Sequence, residues 1–150
     1  MNQQNEFKTI RSDAGFSLIE LMIVIGILGL LIGLVGPKLI DNFTKAKVET
    51  TRVNMKNIAN TLKQFKLDCG QYPNTNQGLD ALVTKPTSEP GCKNYAPNGY
   101  LDKKSAPKDA WDMDYLYTSD GSAFEIKSYG EDKKEGGADY KADIVVTDQD

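Results

Sequence analysis

The sequence predicts an α+β fold, a long amino-terminal helix packed through its second half on a small three-stranded antiparallel sheet. Three observations predict it. An unbroken apolar run comes first, an amphipathic stretch of helical period follows it directly, and short β-rich segments close the chain around an Asp-Gly turn. The 150 residues suit one globular core and no more. Apolar residues make up 39% of the chain, yet fifteen of them crowd into the twenty-one positions from Phe16 to Gly36, leaving the remainder polar and loop-rich. The charge is −3, from 18 Lys+Arg against 21 Asp+Glu, with no basic block. That excludes nucleic acid as a partner, since binding requires clustered cations to displace counterions. The chain has no histidine, which removes Ser-His-Asp and Cys-His nucleophile chemistry and the commonest metal ligand.

The run from Phe16 to Gly36 holds one ionisable residue, Glu20, and one hydroxyl, Ser17. As a helix it spans about 31 Å, the thickness of a bilayer's hydrocarbon core. A buried core helix of that length would carry a polar face. A secretory signal would be shorter, with small residues after the apolar stretch; here Ala14 and Gly15 precede it. The reading is a retained membrane helix. Within it Glu20 costs about 3 kcal/mol on insertion scales and calls for a counter-charge. A chain cut after Gly15 would place the new α-amino group of Phe16 one turn from Glu20, in the same or a neighbouring subunit. The plain alternative is that Glu20 reaches the headgroups from the helix end. Gly26, Gly29, Gly33 and Gly36 recur at spacings of three and four, a face on which helices approach closely in lipid. Gly36-Pro37 removes a backbone donor and favours a kink.

From Lys38 onward the pattern is amphipathic. Val48, Thr51, Met55, Ile58, Leu62 and Phe65 recur at three and four, so the first helix continues to Leu67, about 78 Å in all at the standard rise. Cys69-Gly70 and Tyr72-Pro73 stop it. Residues 70–110 are loop-like, with one short helix from Gly78 to Val83 that Pro86 ends. Met113–Tyr117 and Phe124–Tyr129 flank Ser119-Asp120-Gly121-Ser122 as a β-hairpin, and Ala142–Val146 supplies a third strand. Trp111 and the tyrosines read as packing residues.

The segment Gly15-Phe16-Ser17-Leu18-Ile19-Glu20-Leu21, ahead of an apolar helix, resembles the amino-terminal signal of type IV pilins and type II secretion pseudopilins. The resemblance implies a type IV pilin-like fold, cleavage between Gly15 and Phe16 by prepilin peptidase, N-methylation of Phe16, and a role for Glu20 in filament assembly. It divides the chain into a leader, 1–15, a transmembrane and polymerisation half of the helix, 16–37, and a periplasmic domain, 38–150. The leader carries Lys8 and Arg11 against Glu6 and Asp13, so its removal leaves the charge at −3. Its cytoplasmic side comes from the resemblance, because Lys38, Lys45 and Lys47 after the span point the positive-inside rule the other way. The stretch from Tyr72 to Leu82 is similar to the YPT-x-EQGLxAL stretch of the major pseudopilins. Thr84-Lys85-Pro86-Thr87, Asn94-Tyr95 and Gly99-Tyr100-Leu101 continue that likeness. Type IV pilins proper do not share this stretch.

Between the last two strands, Gly130 to Asp143 alternates carboxylates with glycines, which suits a hard, oxygen-seeking cation; acidic loops are more commonly just solvated. It is no EF-hand, lacking the twelve-residue ligand spacing. The resemblance implies calcium. Pseudopilins carry SLGADGxxGGEGxxADI here, and Ser128-Tyr129-Gly130-Glu131-Asp132, Gly136-Gly137 and Ala142-Asp143-Ile144 keep that frame. Carried over position by position, Asp132 and Asp139 give side-chain oxygens, Tyr129 and Lys134 give carbonyls, and Asp143 is a further ligand. Lys133 and Lys134 replace neutral residues, and their charge weakens cation binding. The family's DxWG stands as Asp109-Ala110-Trp111-Asp112. Cys69 and Cys92, the only cysteines, read as a disulfide in a domain outside the cytoplasm. The alternative is two free thiols; without histidine, two cysteines are too few ligands for structural zinc.

The function expected is that of a structural subunit and not an enzyme. It polymerises into the periplasmic pseudopilus of a type II secretion system and drives folded proteins across the outer membrane. Its implied partners are further copies of itself, prepilin peptidase, minor pseudopilins, the inner-membrane assembly platform and membrane lipid, with the chain stored as a single-pass inner-membrane protein. Three other classes compete. A type IV pilus subunit for adhesion or motility shares the leader but not Gln77-Gly78-Leu79. A membrane-anchored calcium-binding module that never polymerises needs neither the Gly15-Phe16 junction nor Glu20. A tethered enzyme would draw on Asp109 and Asp112, which nothing marks as a paired acid and base.

Overall fold

The computed structural model describes residues 15–102 and 105–150; the expected leader, apart from Gly15, lies outside the described residues. Helix α1, Leu18–Cys69, carries both the apolar run and the amphipathic stripe. It is helical without a break through positions 36 and 37, so the proline does not end it. The chain falls into two compact units, divided between Leu39 and Ile40.

In the first unit, Leu18–Val35 has a mean hydropathy of 2.8 and none of it is buried among the described residues. It is long and apolar enough to cross a bilayer.

In the second unit the stripe does what its period predicts. Thr51, Met55, Ile58, Leu62 and Phe65 are buried, and Val48 is packed against them. α1 ends at Cys69 because Gly70 takes a left-handed φ of 87°, a conformation cheap only for glycine. Its N–H donates to the Lys66 carbonyl at 2.8 Å, capping the last turn. Three strands, β1 (Leu116–Ser119), β2 (Phe124–Ser128) and β3 (Ile144–Thr147), form an antiparallel sheet in that order. Tyr117 faces Ile126, which in turn faces Val146, and this inward row is buried. Tyr72, Leu79 and Leu82 close the same core. The predicted α+β architecture is the observed one. Alternation explains it: β2 buries Phe124, Ile126 and Ser128 while Glu125 and Lys127 face outward.

Two elements depart most from the sequence expectation, the remaining ends shifting by one or two residues. The first strand begins at Leu116 instead of Met113. The Asp109 carboxylate accepts the N–H groups of Trp111 and Met113 at 2.9 Å each, and the Asp109 N–H donates to the Met113 carbonyl at 2.9 Å. These bonds fold the segment into a turn, leaving only an isolated bridge between Lys108 and Asp114. The short helix is a 3₁₀ turn, Leu79–Leu82, and stops before Pro86 is reached. Its last carbonyl, Leu82 O, is taken by the N–H of Tyr100 at 2.7 Å and of Leu101 at 3.2 Å, so the returning loop ends it.

Candidate functional site

Two regions carry the chemistry singled out by the sequence. The first is the head of α1. Gly15 and Phe16 precede the helix and are exposed, and Glu20 stands in its first turn, where a carboxylate meets the positive end of the helix dipole. No Lys or Arg occurs between Arg11 and Lys38, so nothing nearby in the helical sequence neutralises Glu20. A side chain placed at Gly26, Gly29 or Gly33 would meet nothing within 4 Å, so that face is open to an incoming helix.

The second is the loop between β2 and β3. It is shaped by left-handed backbone at Gly130, Gly136 and Gly137 (φ 65°, 96° and 90°) and, without the freedom of glycine, at Lys133 and Asp139 (φ 57° and 55°). A Cβ at Gly137 would collide with the Lys141 carbonyl, which only glycine avoids. Asp132 Oδ1 accepts the Lys134 N–H at 3.1 Å, and Asp143 Oδ2 accepts the Gly136 N–H at 3.1 Å, so the two carboxylates pin opposite ends of the turn. Asp139 opens a second 3₁₀ turn, Asp139–Lys141. Among the described residues, no three Asp, Glu or Cys side chains cluster closely enough to grip a metal by themselves. Any cation would therefore depend on main-chain oxygens as well, as the carried-over set of Tyr129 and Lys134 carbonyls with Asp132, Asp139 and Asp143 requires. One atom fits such a guest: Asp143 Oδ1 is buried with no hydrogen-bond partner, a costly arrangement for a carboxylate oxygen unless something positive reaches it.

The loop is tied to α1 by contacts the sequence did not announce. Thr44 Oγ1 donates to Glu131 Oε1 at 3.4 Å, and the Lys45 ammonium lies 5.2 Å from the centre of the Tyr140 ring. The Lys45 pKa is raised, first by a hydrogen bond with Tyr140. Below the loop runs a buried polar chain. Ser128 Oγ donates to Asp109 Oδ2 at 2.7 Å, the Gly130 N–H donates to Ser128 Oγ at 3.1 Å, and the Ala110 N–H donates to Thr51 Oγ1 at 3.1 Å. Asp109 and Asp112 do not form an acid–base pair: Asp109 is 7% exposed and consumed by these bonds, whereas Asp112 is exposed. A hydroxyl at an inward strand position, in step with Phe124 and Ile126, was the one sequence signal for this network.

Cys69 and Cys92 form a disulfide with Cα atoms 4.7 Å apart. It ties the end of α1 to the irregular segment, beside an aromatic cluster in which Phe65 and Tyr95 flank Tyr100 at 5.3 and 5.2 Å. The Tyr100 hydroxyl donates to Asp68 Oδ2 at 3.0 Å. Burial and then that bond push its pKa up to about 12.

Comparison with known proteins draws both regions together. Residues 38–147 match the family described as type II secretion system (T2SS), protein G, and residues 10–36 match the prokaryotic N-terminal methylation motif. The chain is 46% identical over 136 residues to type II secretion system core protein G of Pseudomonas aeruginosa, covering 89% of this chain and 94% of that protein. With the same-named protein of Vibrio cholerae it shares 42% over 139 residues, covering 91% and 93%. Among solved structures it is similar to the major pseudopilin from the type 2 secretion system of enterohaemorrhagic Escherichia coli. The TM-score is 0.60 and the identity 34%, over 73% of this chain and 93% of that one.

Proposed function

The chain belongs to the type II secretion system protein G family, and from that premise we propose that it is the subunit from which the system's periplasmic pseudopilus is built. Its work is structural. The apolar helix holds the subunit in the inner membrane with its second unit in the periplasm, and leaves the bilayer as copies join a helical filament that pushes folded proteins through the outer membrane. Prepilin peptidase prepares it by cutting between Gly15 and Phe16 and methylating the new amino group. Minor pseudopilins and the inner-membrane platform start and drive its assembly.

What carries this function is the anchor: Leu18–Val35 is apolar and wholly uncovered by its own chain, with Glu20 alone in its first turn. Lipid can cover the aliphatic surface but leaves the carboxylate without a counter-charge. A neighbouring subunit covers both, because its free amino end supplies the cation. The test is replacement of Glu20 by Val in cells expressing the secretion system. The variant is processed, with a methylated Phe16 at its amino terminus by mass spectrometry, yet gives no sheared filaments and no secretion. Filaments from the variant at wild-type yield, or a retained Met1 in the wild type, would sink the proposal.

Calcium binding by the β2–β3 loop is a second part of the same reading, favoured by the unpartnered buried oxygen of Asp143. Asp132, Asp139 and Asp143 would hold the ion with the carbonyls of Tyr129 and Lys134. The ion would supply positive charge to a turn dense in oxygen and stiffen it; Lys133 and Lys134 oppose it.

A further inference from the structure

We propose that Ser128, itself held by Asp109, is the positioning residue of this loop: its hydroxyl captures the Gly130 amide and so fixes the Tyr129 carbonyl oxygen in the outward orientation a cation needs. This rests on the calcium reading above and deepens it.

β2 should bury apolar side chains at every second position, and does so at Phe124 and Ile126. The next inward position is Ser128, 1% exposed. A buried hydroxyl in a sheet this small is a cost unless its bonds are made. Both are. Asp109 Oδ1 already receives the N–H groups of Trp111 and Met113, and Oδ2 receives the Ser128 hydroxyl at 2.7 Å. The hydroxyl donates its one proton to Asp109, so its lone pairs are left for the Gly130 amide at 3.1 Å. The Asp109 segment is in turn anchored to α1, since the Ala110 N–H donates to Thr51 at 3.1 Å.

Geometry turns this bond into an instruction about Tyr129. Among the described residues the one cis peptide bond is Glu89–Pro90, so the peptide joining Tyr129 and Gly130 is trans. In a planar trans peptide the N–H and the C=O point in opposite directions. An amide aimed inward at Ser128 therefore sends the Tyr129 oxygen away from the buried network. Gly130 also sits at φ 65°, a left-handed conformation that glycine adopts without strain. Without the Ser128 hydroxyl the peptide plane has no fixed direction, and the ligand carbonyl must be ordered at the expense of binding.

Tyr129-Gly130 is the only Tyr-Gly step in the chain, which makes the test selective. Full-length protein in detergent micelles, labelled with ¹³C-carbonyl tyrosine and ¹⁵N-glycine, gives one carbonyl–amide NMR correlation, from this peptide. Titration with calcium chloride is expected to shift the Tyr129 carbonyl carbon, while the Gly130 amide stays protected from hydrogen exchange with and without the ion. Ser128→Ala is expected to weaken calcium binding about tenfold by calorimetry, the usual effect of losing a group that orients a ligand. It also narrows the gap between the melting temperatures in calcium and in EDTA, and Ser128→Thr restores both. A Ser128→Ala protein that binds calcium like the wild type overturns the positioning role and leaves the calcium reading intact. A Tyr129 carbonyl that does not respond at saturating calcium overturns the positioning role and removes Tyr129 from the ligand set, leaving calcium binding by the loop itself standing. Wild-type protein that binds no calcium at all overturns both. Should Ser128→Ala fail to fold, the wild-type carbonyl measurement decides alone.

Discussion

The two halves of α1 handle apolar surface in opposite ways. In the first, Leu30, Ile32 and Leu34 are each at least 70% exposed; in the second, Met55, Ile58, Leu62 and Phe65 are at most 2% exposed. Both halves are helical for different reasons. The second is amphipathic and is stabilised by tertiary contacts within its own chain, whereas the first has no polar face to turn to water and is not buried by any of the described residues. Stability and assembly should therefore be separable properties of one continuous helix. Among the described residues every buried apolar side chain lies in residues 40–150, which should therefore decide whether the subunit folds. On the proposed assembly, residues 18–35 decide what it joins.

The largest effect that sharpens this contrast is core truncation. Leu62→Ala or Ile126→Ala removes a side chain that is 0% exposed and should cost about 2–5 kcal/mol of unfolding free energy, read from urea denaturation of the full chain in micelles. Leu30→Ala in the same assay should leave the midpoint unmoved and lower filament yield instead. Equal destabilisation by the two truncations would break the separation. The disulfide comes next. Cys69 and Cys92 are 23 positions apart, and loss of a closed loop of that size costs about 3 kcal/mol on the chain-entropy estimate. Reduction should lower the unfolding midpoint while leaving insertion of the anchor untouched.

A third effect is alkaline. All seven tyrosines lie beyond residue 70, and burial pushes Tyr115 and Tyr117 up to about 12, assisted at Tyr115 by the Asp109 charge. A pKa higher in the folded state than in the unfolded chain means that the contribution is complete below about pH 10 and is lost as pH rises from 10 toward 12. Thermal melts of residues 40–150 should fall steeply across that window. The membrane half has no tyrosine to titrate, and its helicity in micelles should persist.

How much of this was legible follows the same division. Periodicity named the buried face of α1 residue by residue, because a stripe repeating at three and four has one way to meet a sheet. Gly70 marked the helix end because a left-handed residue there is a local requirement. Asp109 was less legible. Its role is set by partners at positions 111, 113 and 128, and a carboxylate that folds a turn looks in sequence like any other acid. It shortened the first strand for that reason. The loop's ligand roles were carried by resemblance, and the hydroxyl beneath them showed only as a polar residue in an apolar register.

The smallest effect concerns backbone that the sequence strains. The left-handed non-glycine residues Asp112, Lys133 and Asp139 stand where the family motifs DxWG and SLGADGxxGGEG carry glycine; the motif's glutamate falls on Ala138, so the carboxylate of Asp139 would replace it from the next position. Each holds a left-handed φ with a side chain attached. For Lys133 this costs about 1–2 kcal/mol, since a Cβ crowds the following carbonyl; the aspartates lose less, because a short polar side chain can bond locally. Glycine relieves the strain but gives the unfolded chain more freedom, offsetting about 0.4–1 kcal/mol. Lys133→Gly should therefore gain about half a kcal/mol, and Asp112→Gly about nothing, by urea unfolding in EDTA, where no calcium can add its own contribution. Repeating the pair in calcium separates strain from charge. Lys133→Gly should then gain more than it did in EDTA, because it also removes a cation from the loop, whereas Asp112→Gly should not change. A Lys133→Gly protein less stable than wild type in EDTA would mean that the lysine makes a stabilising contact that outweighs its backbone, and the loop would have departed from its relatives in more than charge.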